Sequence, residues 1–162
     1  MIHEVSGDIL LAEVDAIAHG VAPNDDFHEG LALSLRDAWP AMYKDFKHFC
    51  HGHTPKAGSS WTWGSATGPR IVALFTQEPA ERHHGHGHPG KATESNVNHA
   101  LKALRKEIVA EGWRSVALPR LATGVGGLDW ARVQPMIAHH LGDLDVEVLV
   151  VTTYRAGEKP TA

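Results

Sequence analysis

The chain has 162 residues, 43% hydrophobic and 21% charged, which is the composition of one globular domain, too short for two and long enough to bury a core without staples. Its longest apolar runs, 71–75 and 146–151, fall far short of the ~20 residues of a membrane helix, and the opening residues show neither a basic nor an apolar leader pattern, so the expectation is a cytoplasmic protein that meets no membrane. A net charge of −4, from 15 basic and 19 acidic side chains, argues against a broad nucleic-acid surface, and the lone Cys50 excludes an internal disulfide and any cysteine-based metal site.

Short β-branched apolar runs predict strands at 2–5, 16–21, 61–64, 70–76, 115–118 and 146–152. After the first comes Gly7-Asp8-Ile9-Leu10, where Asp8 suits a helix N-cap or turn as readily as a ligand contact. After the second comes His19-Gly20-Val21-Ala22-Pro23-Asn24-Asp25-Asp26-Phe27-His28-Glu29-Gly30. Such polar density at a strand's carboxyl end suits a ribose or a reacting centre, although Asn24, Asp25 and Asp26 also have the composition of an Asx-turn. A helix over 30–38 places Leu31, Leu35 and Ala38 on one face, and another over 42–51 continues after Pro40 with Met42, Phe46, Phe49 and Cys50 as its stripe. The tract Arg82-His83-His84-Gly85-His86-Gly87-His88-Pro89-Gly90 holds four imidazoles within 83–88, a set that could meet zinc, nickel or copper with His51 or His53 added. Its glycines make ordering costly, so we expect a lid beside Gln77, with no resident metal or cofactor.

Thr93 can cap a helix running through Val97, Leu101, Leu104 and Ile108 to Gly112. The stretch Leu118-Pro119-Arg120-Leu121-Ala122-Thr123-Gly124-Val125-Gly126-Gly127-Leu128-Asp129-Trp130 leaves a strand and opens the last helix, which runs through Val133, Met136, Ile137 and Leu141 to Gly142. Glycines there let backbone N–H groups converge on an anion at a helix N-terminus, and equally they permit a tight turn. The stretch is neither a Walker loop nor a dinucleotide fingerprint. Trp61, Trp63, Trp113 and Trp130 are expected to pack against the core and helix ends. Strands alternating with helices, some almost wholly apolar, predict an α/β fold: a three-layer α/β/α sandwich with a mixed central sheet. Ligands of such sheets sit beyond the strand carboxyl ends.

Taken together, Gly7-Asp8-Ile9-Leu10, the Gly30-Leu31-Ala32 helix start, the 119–130 loop and the apolar strand ending at Tyr154 resemble a macrodomain over nearly the whole chain. The chain is most similar to the branch containing terminal ADP-ribose protein glycohydrolase and the DNA-ADP-ribose glycohydrolase antitoxins. The resemblance implies a macrodomain over 1–155 with a tail at 156–162, and a cleft for ADP-ribose or an ADP-ribosylated macromolecule, acting as a monomer. It implies that Asp8 accepts a hydrogen bond from the adenine amine, with the Ile9 N–H beside it and Tyr154 covering the base. It also implies that Ala122, Thr123, Gly124, Val125, Gly126, Gly127 and Leu128 wrap the diphosphate and distal ribose, with Asn24 and Gly30 in the facing loop.

Where related glycohydrolases carry a lysine after the fourth strand, this chain has Gln77, and Gly126 stands where the human-type enzyme has an aspartate. A glutamine holds water or ribose but forms no Schiff base. Any ADP-ribosyl hydrolysis is therefore expected to proceed by direct attack of water, and the loop after the second strand offers Asp25, Asp26, His28 and Glu29 as its base, with Asp25 the first candidate and His28 the second. A reader module that binds ADP-ribose without turnover needs the same cleft. A phosphate-binding fold for some other ligand would leave Asp8 and Tyr154 without a role.

Overall fold

Inward-facing residues alternate between two sides of the strands, and that alternation builds the layers. The computed structural model describes residues 1–79 and 90–162. Among them, β1 (Ile2–Gly7), β2 (Ala16–Val21), β3 (Ser60–Gly64), β4 (Arg70–Phe75), β5 (Ser115–Pro119) and β6 (Glu147–Tyr154) form one sheet in the order β1-β6-β5-β2-β4-β3. Neighbours run parallel except β3 against β4, so the sheet is mixed. On β4, Ile71, Ala73 and Phe75 join one core cluster while Val72 and Leu74 join another; on β2, Ile17 and Val21 part in the same way from Ala16 and Ala18.

The first face is covered by α1 (Gly30–Ala38) and α2 (Pro40–His53) through Leu35, Met42, Phe46 and Cys50. The second is covered by α3 (Glu94–Glu111) and α4 (Trp130–Leu141) through Val97, Leu101, Leu104, Ile108, Val133, Ile137 and Leu141. This is the expected three-layer sandwich, and each fully buried Leu, Ile or Phe in it contributes about 1.5–3 kcal/mol by leaving water. Trp113 is buried in the second core, and Trp61, Trp63 and Trp130 pack against the cores' margins.

The helix ends follow from their caps. The Thr93 side chain accepts from the Asn96 amide and Gly112 closes α3 in the left-handed region, while Asp129 accepts from the Ala131 amide at the start of α4. Helix α2 begins at Pro40, two residues before its apolar stripe, because proline at the first helical position has no N–H to lose. Strands β1 and β6 run on to Gly7 and Tyr154, which pair with each other. Beyond them the chain turns back: the Asp8 amide donates to Glu158 O at 2.7 Å, the Arg155 amide to Gly7 O at 3.0 Å, and Pro160 is buried. Gly7, at φ 148°, must be glycine here, since a Cβ would lie 2.8 Å from Glu158 O and Pro160 N.

Five parallel strands end at one edge of the sheet. Read along it, that edge presents the Asp8 loop, Tyr154, the loop after Pro119, the loop after Val21 and then Gln77. They span four interstrand spacings, roughly 19 Å. The histidine tract at 83–88, expected to form a lid, lies outside the described residues, as does its metal reading.

Candidate functional site

The loop after β2 is held from within. Asn24 and Phe27 both have positive φ, 61° and 54°, conformations that a side chain adopts only when its surroundings insist. Asp25 supplies part of that insistence: its Oδ2 accepts from the Ala22 amide at 3.3 Å and its Oδ1 from the Phe27 amide at 2.9 Å. Phe27 supplies the rest, with a fully buried ring set against Tyr43 and Phe46. Burial raises the Asp25 carboxyl above the usual carboxylate range, although the two amides pull the other way. At the exposed rim His28 Nδ1 makes a short contact with Asp26 Oδ1, and that carboxylate raises the His28 pKa. Glu29 then starts α1 without a side-chain cap. The first-turn amides of Gly30, Leu31 and Ala32 therefore keep the positive end of the helix for whatever lies before it.

Facing them is the glycine loop. Its frame is made by Leu128 N donating to Ala122 O at 3.0 Å, Gly127 N to Gly124 O at 3.0 Å, and Thr123 through both N and Oγ1 to Arg120 O. Ala122 sits in the left-handed region at φ 64°. Among the described residues the amides of Gly124, Val125 and Gly126 have no protein acceptor. A second support comes from the side, where Ala92 N donates to Gly126 O at 3.0 Å and Ala92 bridges Gln77. Gln77 is 5% exposed, and its Nε2 donates to Gly90 O at 3.0 Å, which leaves Oε1 as the side chain's remaining acceptor.

These elements enclose a cleft of about 250 Å³. It brings together Asp25, His28, Gly30, Gln77, Ala122, Gly124, Val125 and Gly126 from the residues singled out in the sequence. Asn24, Thr123, Gly127 and Leu128 shape the two loops without lining it. Asp8, Ile9 and Tyr154 stand further along the same edge: Asp8 caps a short 3-10 turn, Ile9–Leu11, through Oδ1 to the Leu10 amide at 3.1 Å, Ile9 is buried, and Tyr154 is 71% exposed. Glu29, one of the loop's candidate bases, lines the cleft as well, and so do His19 and Arg120, to which sequence reasoning gave no role. The strand alternation could have flagged His19, a polar residue in register with buried ones.

The macro domain family model matches residues 26–137. A DNA ADP-ribosyl glycohydrolase of Thermus aquaticus is 32% identical over 165 residues, covering 100% of this chain and 43% of that protein. The chain thus spans less than half the length of the curated relatives it matches. Among solved structures, the macrodomain of Thermus aquaticus DarG superposes with a TM-score of 0.82 at 29% identity, over 94% of this chain and 98% of that one. The macrodomain of Mycobacterium tuberculosis DarG superposes with a TM-score of 0.79 at 25% identity, over 97% and 99%. With a three-layer sheet, the glycine loop and an uncapped helix start meeting at one cleft, and with two thirds of its length under the family model, the chain belongs to the macrodomain family.

Proposed function

We propose that the chain binds ADP-ribose along the carboxyl edge of its sheet and hydrolyses ADP-ribosyl linkages by direct attack of water. The order of groups along that edge carries the reading: a carboxylate and an aromatic ring first, two sets of amides facing each other next, and a polar end last. Adenine, diphosphate and distal ribose follow one another in the same order. Asp8 and the Ile9 amide would read the adenine edge, with Tyr154 over its face. The amides at 124–126 and at the start of α1 would take the diphosphate, with Arg120 also in the cleft lining, so a net charge of −4 is no obstacle. Asn24, Thr123, Gly127 and Leu128 would hold the wrapping loops in shape.

In the proposed reaction a water oxygen bonds to the anomeric carbon of the distal ribose, and the bond to the carrier breaks with its electrons leaving on the carrier atom. The base takes the water proton, and solvent protonates the carrier. Asp25 is our first choice for that base and His28, oriented by Asp26, the second. Gln77 would position the water or a ribose hydroxyl. One observation favours the alternative of a reader without turnover: both Asp25 oxygens already accept amides. We take the domain to work as a cytoplasmic monomer.

ADP-ribosylated DNA is the first carrier to test, since the Thermus aquaticus relative is a DNA ADP-ribosyl glycohydrolase; ADP-ribosylated protein follows, and then O-acetyl-ADP-ribose, an ester in which the water would attack the acyl carbon and acetate would leave. We expect calorimetry to give micromolar affinity for ADP-ribose, about −7 to −8 kcal/mol, and chromatography to show released ADP-ribose. Borohydride added during turnover should trap no protein-bound sugar. Binding without release from any carrier would favour the reader, and a trapped adduct would overturn direct water attack.

A further inference from the structure

Beside the exposed rim of the cleft, α1 and α2 carry two cations that the chemistry above does not use. Arg36 of α1 lays its guanidinium over the Tyr43 ring, 4.3 Å from the centroid, and Lys47, one helical turn beyond Tyr43 on α2, brings its ammonium to 5.6 Å from the same centroid. Lys47 is exposed, and Arg36 and Tyr43 are half-buried. Among the described residues neither cation enters an ion pair. Of the carboxylates close by in the chain, Asp26 holds His28 and Asp45 accepts from the Trp63 indole N–H, while Asp37, one position after Arg36 on α1, does not share its side of the helix. Two linked contacts join the patch to the cleft: Arg36 donates to Asp26 O at 3.1 Å, and Asp26 holds His28, which lines the cleft. Tyr43 is tied to the same loop through the Phe27 ring, with centroids 5.3 Å apart.

We infer that Arg36, Tyr43 and Lys47 form the surface along which a single-stranded nucleic-acid carrier leaves the cleft, with the two cations meeting phosphates next to the modified nucleotide. The inference rests on the ADP-ribose reading above and extends it from the cleft to the carrier. The bond to be broken lies at the distal ribose, beside Asp25, His28 and Gln77, so the carrier emerges over the rim that His28 and Asp26 form. The patch stands next to that rim. A ring shared by both cationic heads holds them in place before any strand arrives, which lowers the ordering cost of the contact. Cations without a carboxylate partner suit phosphate oxygens, and a strand presents a phosphate beside every nucleotide whatever its sequence, so two fixed cations are enough to engage it. Such a patch is local, and a net charge of −4, which argues against a broad nucleic-acid surface, leaves room for it.

The test compares an ADP-ribosylated nucleoside with an ADP-ribosylated heptanucleotide, reading KM where ADP-ribose is released and Kd where it is not. The proteins are wild type, Lys47→Gln, the double variant Arg36→Gln with Lys47→Gln, and a control, Lys106→Gln, on the exposed side of α3 across the sheet. Wild type should take the heptanucleotide about three- to tenfold more tightly than the nucleoside at low salt, and the gain should shrink as salt rises. Lys47→Gln should lose about half of that gain with its affinity for free ADP-ribose within about twofold of wild type, the double variant should lose nearly all of it, and Lys106→Gln should keep it. No length gain in wild type, or a gain that the double variant retains, overturns the inference. So does an ADP-ribosylated glutamate-rich peptide that loses as much in the double variant as the strand does. Arg36→Gln also removes the bond to Asp26 O, so if the double variant fails to fold or binds free ADP-ribose weakly, Lys47→Gln decides alone, and a full gain there overturns the inference. A wild type that binds neither free ADP-ribose nor either conjugate brings down the ADP-ribose reading itself, whereas ADP-ribose binding without a length gain brings down this inference alone.

Discussion

Asp25 and His28 are three residues apart, and their surroundings separate them as candidate bases. Asp25 is half-buried and tied to two amides, an Asx-turn that the Asn24-Asp25-Asp26 run already announced. His28 is exposed at the rim, with its pKa raised above 6.5 first of all by the hydrogen bond to Asp26. A base works when deprotonated, so catalysis by His28 gives a rate that falls with decreasing pH through a value above 6.5, while Asp25 keeps the rate level there and loses it only in the acid range. We expect the second profile, with Asp25→Asn lowering kcat by about 10² to 10⁴; because asparagine keeps only one of the two acceptor oxygens that hold the loop, ADP-ribose affinity measured on the same protein separates lost chemistry from a loosened loop. A limb above pH 6.5 that disappears in His28→Ala would transfer the role to His28, and full activity in both variants would leave no base in this loop. What the sequence could not disclose is which polar atoms stay unpartnered. The residue type of His19 was plain, but its orphaned nitrogen depends on Phe27, whose own position depends on a strained loop and on α2.

Among the elements, those with local punctuation were the most legible. Helix α1 and strand β2 have the limits that apolar pattern and flanking residues predict, and Thr93, Gly112 and Asp129 stop or start helices where their side chains or lack of one allow. The extension of β1 to Gly7 was not legible from its apolar run, because it is specified by pairing with β6, about 150 positions away in the chain. The glycine loop was visible as a whole, yet its three glycines differ in ways that only packing shows. Gly124 has open space where a Cβ would go, Gly126 has Ala122 O at 2.7 Å and Ala92 Cβ at 2.9 Å, and Gly127 needs its positive φ of 77°. Hence Gly126→Ala should destabilise the fold by about 1–3 kcal/mol through overpacking, and a loss of binding there would not identify the ligand site. Gly124→Glu is the cleaner probe. It should melt like wild type and lose ADP-ribose binding, because a carboxylate would stand among the amides meant for the diphosphate. Wild-type affinity in a folded Gly124→Glu protein would move the diphosphate elsewhere.

At the scale of the whole molecule, a buried imidazole at a binding cleft also bears on acid stability. The folded-state pKa of His19 is lowered from 6.5 to about 4 by desolvation. Between those values the unfolded chain holds a proton that the folded chain does not, so stability is fully present above 6.5 and is lost as pH falls toward 4. A group that is enclosed throughout needs no discount for solvent screening, and the difference corresponds to about 2 to 3 kcal/mol between pH 7 and 4.5. His140, its pKa also lowered mainly by burial, adds a contribution of the same sign. Asp25 opposes them: its raised pKa lets the folded state hold a proton more tightly, so its contribution grows as pH falls toward the ordinary carboxylate range. His19 leads between 6.5 and 4.5 because its displacement is the large one, while the proton held by folded Asp25 works against it from above 3.8. We therefore expect urea denaturation midpoints of the ligand-free protein to fall steadily from pH 7 to 4.5. In His19→Phe, which carries no proton in either state, most of that slope should disappear whatever the variant's stability at neutral pH. A His19→Phe protein that keeps the wild-type slope would show that the ring is not the buried neutral group on which the acid limb depends.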